Sequence, residues 1–108
     1  MPEKAWIDTS FSPRDRLRVC FFTEKGKVTD IIVIQYEAEI EGEWLPLVRY
    51  DRAHGYLHRD VMRPNGTQEK TKWPSEDLNR ALTEVIQELK RQWSFYRRAF
   101  EKGLRECP

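Results

Sequence analysis

Residues 75–100 read SEDLNRALTEVIQELKRQWSFYRRAF, and in them Leu78, Leu82, Val85, Leu89, Trp93, Tyr96 and Phe100 recur every three or four positions. At about 100° per residue these side chains share one face, the pattern of an amphipathic helix lying on a core. Ser75 can cap its start, and Glu76 and Asp77 suit the positive end of its dipole. No proline or glycine interrupts before Gly103, so the spacing predicts one helix over about residues 75–104.

Upstream the period changes to two. In RLRVCFF (16–22) Leu17, Val19 and Phe21 alternate onto one face, as in a half-buried strand. EKGK (24–27) offers a turn with Gly26 at its permissive position. In VTDIIVIQYEAEI (28–40) Ile32, Ile34, Tyr36, Ala38 and Ile40 point one way, and Ile31 and Val33 load the second face of the strand's start. Glu41-Gly42 closes a hairpin into EWLPLVRY, where Pro46 implies an edge or a bulge because it cannot donate to a ladder. YLHRDVM reads as another strand, RPNGT as a turn, and QEKTKW as a short return. The expectation is an α+β fold, an antiparallel meander of four to five strands packed against one long C-terminal helix. A single domain, 1–108, would hold the meander in about 15–73.

Lysine plus arginine is 19 and aspartate plus glutamate is 18, a net charge of +1. A general nucleic-acid binder would be strongly basic, so any anion-binding surface has to come from local clustering. Cys20 and Cys107 have no pairing signal and suit a reducing compartment, with Cys20 read as packing. The start, MPEKAWIDTS, lacks the pattern of a signal peptide, and no apolar run approaches the ~20 residues that span a bilayer. A cytoplasmic protein without membrane contact is expected. Trp6, Trp44, Trp73 and Trp93 read as core and edge cover, although Trp44 and Trp73 lie near turns. GxGxxG, P-loop, GxSxG and HExxH motifs are all missing.

Both histidines fall in RYDRAHGYLHRD (49–60). DRAHG connects two strands, with Asp51 suited to bond turn amides and Gly55 to take a positive φ. His58 and Asp60 share one strand face, while Arg59 points to the other with Leu57 and Val61. Arg49 and Asp51 share a face of the preceding strand, and antiparallel register can bring them beside His58 and Asp60. Tyr50 or Tyr56 would stand at the rim. Such a group fits metal-free acid–base chemistry on a phosphodiester, with Arg49, Tyr50 and Arg59 as phosphate-binding candidates and His54, His58, Asp51 and Asp60 as catalytic ones. It also fits a divalent metal at His54, His58 and Asp60, recognition of an anion, or a hairpin held together with no activity. On the helix, Arg80, Arg91, Arg98 and Arg105 line the side opposite the apolar face. Arg91, Phe95 and Arg98 are the candidates there for contact with a partner, though such a stripe also suits a solvated face.

VRYDRAHGYLHRD, with a meander before it and a helix after it, resembles a family of short uncharacterised prokaryotic proteins with the motif R-Y-D-x-A-H-G-x-x-H-x-D. The motif falls on Arg49, Tyr50, Asp51, Ala53, His54, Gly55, His58 and Asp60. More distantly, the stretch resembles the TumE-like toxins of toxin–antitoxin pairs, which carry a tyrosine or tryptophan and an aspartate before a histidine cluster. This chain has HRD where those toxins tend to end in two closely spaced histidines. The first resemblance implies no established function; the second implies, by analogy, a toxin-like protein with RNA or a nucleotide as target and a cognate antitoxin or other small protein as partner, with oligomers allowed. A non-enzymatic binding or assembly module is the alternative.

Overall fold

The computed structural model describes residues 2–106. Six strands form one antiparallel sheet in chain order: β1 (Glu3–Ser12), β2 (Asp15–Glu24), β3 (Lys27–Ile40), β4 (Glu43–Asp51), β5 (His58–Met62) and β6 (Gln68–Lys72). The helix α1 (Leu78–Glu106) lies on one face, against β3 and β4. The α+β meander is as expected, with six strands instead of four to five. The additional one is β1, which pairs Ala5 with Cys20 and Trp6 with Val19. Most of its side chains are exposed, so it shows little burial-driven alternation, and apart from Phe11 on Trp93 and Trp6 on Phe21 it is held through its backbone ladder.

Lys25-Gly26 and Glu41-Gly42 turn two of the hairpins, with φ of 52° and 77° in the first and 53° and 84° in the second. Positive φ at both central positions gives the twist that two-residue hairpins need. Among the sheet's register shifts, two change which side chains enter the core. Phe21 pairs with Ile31 and Cys20 with Val33, so Ile32 is an extra residue on β3. Ile31 consequently joins Ile34 in the core, while Ile32 is exposed, the reverse of the expected facing. On β4, Glu37 pairs with Pro46 and Tyr36 with Val48. The bulge expected from Pro46 thus falls at Leu47, which turns into the core.

Leu17, Val19, Ile34, Tyr36, Val48 and Tyr50 form the sheet side of the core, and Ala81, Leu82, Val85, Leu89 and Phe100 the helix side. Trp93 is half-buried and stacks on Phe11, ring centres 5.7 Å apart. Two polar staples fix the helix. Arg97 bonds Asp15 at 2.7 Å, and Asp15 also accepts from the Tyr36 hydroxyl. Glu88 accepts from Tyr50 at 2.7 Å and from Arg59 at 3.2 Å. Burial foremost, then the neighbouring carboxylate, pushes both phenols above their usual range and keeps them protonated donors. Of the tryptophans, Trp73 and Trp93 pack on the core, but Trp6 and Trp44 are exposed. The Cys20 thiol bonds Glu3 and is raised by that contact, which makes it a poorer nucleophile. Cys107 lies outside the described residues.

Both ends of the helix differ from the sequence reading. Asp77, not Ser75, caps its start, accepting from the amides of Asn79 at 3.0 Å and Arg80 at 3.3 Å. The far end runs through Gly103 to Glu106. A Cβ on Gly103 would stand 3.1 Å from the Pro64 ring, so glycine there lets the β5–β6 turn pack on the helix. Asp77→Ala should lower stability by about 1 kcal/mol and Ser75→Ala by less than about 0.5 kcal/mol, measured by urea unfolding. Equal effects would contradict this cap.

Candidate functional site

In the β4–β5 ladder Asp51 pairs with His58 and Arg49 with Asp60, while β6 places Lys72 beside His58 and Lys70 beside Asp60. Alternation turns these side chains to the sheet face that α1 leaves uncovered. His58 Nε2 lies 3.1 Å from Asp51 Oδ1 and 3.5 Å from Asp60 Oδ2, and His58 is only 1% exposed. Ionised carboxylates only accept hydrogen bonds, so the two flanking groups place a proton on Nε2. Asp51 also accepts from the Ala53 amide at 3.1 Å and from Arg49 Nε at 2.9 Å. Lys70 Nζ is 3.3 Å from Asp60 Oδ1.

The connection at residues 52–57 covers this group. Gly55, at φ 83°, closes a turn whose amide bonds the Arg52 carbonyl at 3.0 Å. Arg52 ties the loop to Asp30 on β3 at 2.9 Å. The rings of His54 and Tyr56 sit 5.4 Å and 5.9 Å from that of His58. They are exposed where His58 is sealed. A cleft of about 220 Å³ opens alongside, lined in part by Ile32, Arg49, Asp51 and Arg52.

The polar contacts continue across the sheet. Arg49 bonds Gln35 at 3.2 Å, Gln35 bonds Glu37 at 2.6 Å, and Glu37 takes Arg16 at 2.6 Å and Arg18 at 3.1 Å. Burial alone would raise the Asp51 and Glu37 carboxyls. The Ala53 amide and Arg49 overcome it at Asp51, Arg16 and Arg18 overcome it at Glu37, and both groups are held below the usual carboxylate range.

The structure therefore gathers Arg49, Asp51, His58 and Asp60 as the register argument required, with His54 over them and Tyr56 at the rim. It does not bring Tyr50 and Arg59 to that group. Both lie on the opposite face, where they bond Glu88 of the helix. Their odd–even offset from Asp51 and His58 is the physical reason, and it corrects their assignment to phosphate binding at this site. Arg91, Phe95 and Arg98 are exposed on the outer side of α1, with Phe95 57% accessible. Lys70, Lys72 and Arg52 were missed. The first two were legible, since RPNGT fixes the return of a strand whose alternate lysines face His58 and Asp60.

The grouping with cation-ligand spacing is Asp51, His58 and Asp60, whose donor atoms lie within 4.8 Å of one another, instead of the set that includes His54. Ligating histidines usually have the second ring nitrogen held by an acceptor. His58 Nδ1 is buried with no partner; Arg49 bonds Asp51 at 2.9 Å, and Lys70 Nζ stands 3.3 Å from Asp60 Oδ1 without a hydrogen bond to it. This donor set favours a hydrogen-bonded clamp over a metal centre.

Fold and site together define a small meander-and-helix domain with a histidine clamped between two carboxylates beneath a histidine-bearing loop. The chain belongs to the domain of unknown function DUF7718, whose family profile matches residues 1–106. Comparison with curated proteins and with solved structures returned no match. No helix among the described residues is long and apolar enough to cross a membrane.

His58→Ala leaves two carboxylates facing each other without the imidazole and should lower stability by about 3–5 kcal/mol. His54→Ala, on the exposed loop, should change it by less than about 0.5 kcal/mol. Chemical denaturation of the two variants checks the contrast. The depressed Asp51 and Glu37 carboxyls contribute stability at neutral pH that is lost as the pH falls below about 4. Glu37→Gln should flatten that acid-side loss in melts recorded from pH 6 downward.

Proposed function

We propose that this chain is a small toxin-like protein that acts on a phosphodiester or nucleotide at the loop over His58. The observation that carries this reading is the division of labour between two adjacent imidazoles. One is sealed between carboxylates, and the other stands in solvent on the loop whose Arg52 and Ala53 line a cleft together with Arg49. His54 is then the catalytic residue. At 1% exposure His58 cannot reach substrate, so His58, Asp51 and Asp60 are positioning residues that hold the loop.

In this reading Arg49 binds the phosphate and offsets the charge that develops on it. His54 takes the proton of the attacking hydroxyl or water as its oxygen bonds to phosphorus, the phosphorus–oxygen bond to the leaving group breaks, and the same imidazolium returns the proton to the leaving oxygen. No metal is needed. The likeness of RYDRAHGYLHRD to the TumE-like toxins supports the toxin class. The exposure of Phe95 between Arg91 and Arg98 supports that side of the helix as the contact for a small protein partner.

Induced expression in a bacterial host tests the reading. The wild type should arrest growth and His54→Ala should not, at equal soluble protein and equal melting temperature. Cleavage of a model dinucleotide by the purified protein should fall by about 100-fold or more in His54→Ala. Equal cleavage by both would remove His54 from the chemistry, and neither growth arrest nor cleavage by the wild type would leave the cluster as a hairpin clamp in a non-enzymatic binding module.

A further inference from the structure

The uncovered face of the sheet divides its charges by depth. Its central carboxylates are sunk, with side-chain exposures of 9% for Glu37, 13% for Asp51 and 7% for Asp60. The cations paired with them stand higher, at 42% for Arg18, 42% for Arg49 and 40% for Lys70. Lys72 is exposed as well. A chain of net charge +1 therefore presents a cationic surface here. Glu39, beside Arg14 at 3.9 Å, and Asp30, held by Arg52 at 2.9 Å, are half-exposed carboxylates at its margins.

Exposed rings are interleaved with these cations. The Arg16 guanidinium lies 4.0 Å from the ring centre of Trp44, and Lys72 Nζ lies 5.4 Å from that of Tyr56. Trp44 sits at the start of β4, and Tyr56 lies in the loop beyond its end. At about 3.3 Å per strand residue the two rings stand on the order of 20 Å apart.

We propose that this face binds single-stranded nucleic acid, with backbone phosphates on Arg18, Arg49, Lys70 and Lys72 and unpaired bases against Trp44 and Tyr56. The charge is complementary to a polyanion. The rings select unpaired bases, because stacking on a flat aromatic platform requires a free base face. An acidic protein segment would use the cations but leave the rings without a role. The inference goes beyond the cleavage reading and stands whether or not His54 does chemistry.

The test is fluorescence anisotropy with labelled oligonucleotides of about 12 nucleotides, one of single-stranded DNA and one of 2′-O-methyl RNA. The second resists attack by its own sugar hydroxyl, so binding is read apart from that cleavage. Both should bind the wild-type protein, with log K falling linearly in log salt. Arg18→Ala should reduce that slope by about 0.7. Trp44→Ala should weaken binding at least about fivefold, with both variants melting as the wild type does. Failure of either oligonucleotide to bind at low salt overturns the proposal, as do variants that bind like the wild type or tighter binding of a polyglutamate peptide. If binding holds while His54→Ala cleaves the dinucleotide at the wild-type rate, only the cleavage reading falls.

Discussion

A buried imidazole held against two carboxylates is the contact from which the polar half of this molecule follows. His58 sits between Asp51 on the preceding strand and Asp60 on its own. Burying one carboxylate without partners is costly, and burying two side by side more so, because each repels the other in a medium that screens poorly. The imidazole proton between them, with Arg49 and Lys70 at their outer sides, makes that arrangement tolerable. Its geometry also fixes the β4–β5 register, since a one-residue slip would send His58 towards the helix and Leu57 into the charge ladder.

The sheet thus serves two different neighbours. One face meets α1 with apolar side chains and two polar staples centred on Asp15 and Glu88. The other meets solvent through a lateral ladder from Arg16 and Arg18 through Glu37, Gln35, Arg49 and Asp51 to His58, Asp60 and Lys70. Period-two alternation keeps the systems apart, so Tyr50 and Arg59 serve the helix while their chain neighbours serve the ladder. Half-exposed members of such a ladder add little stability singly. The buried ones matter more, because losing one partner strands another charge away from water.

Much of this was legible in the sequence where burial imposes a pattern. The helix appears in the spacing of Leu78 to Phe100 because that face is covered along most of its length. The Arg49–Asp51–His58–Asp60 grouping appears because two adjacent strands with a short connection have few registers available. Legibility ended where pattern and burial part company. Strand β1 is exposed and paired through its backbone, so its residues carry little signal. The bulge at Ile32 reversed the expected facing of two isoleucines, since a single extra residue shifts the phase of the residues before it, here as far as the next register shift between Asp30 and Val28. Asp77 outcompeted Ser75 for the cap, and the two are alike to a sequence reading that knows only preferred residue types. The depth ordering of the ladder, with carboxylates low and cations high, depends on side-chain length and cross-strand distance, and no linear pattern reports it.

The central claim is that His58 carries its proton on Nε2, locked between Asp51 and Asp60, while His54 is free in solvent above it. Long-range nitrogen–proton correlation NMR on protein with 15N-labelled histidine tests this most directly. The account predicts a protonated Nε2 on His58 that exchanges slowly with water, beside a His54 ring in fast exchange. A His58 ring with an unprotonated Nε2, or one that exchanges as fast as His54, would contradict it.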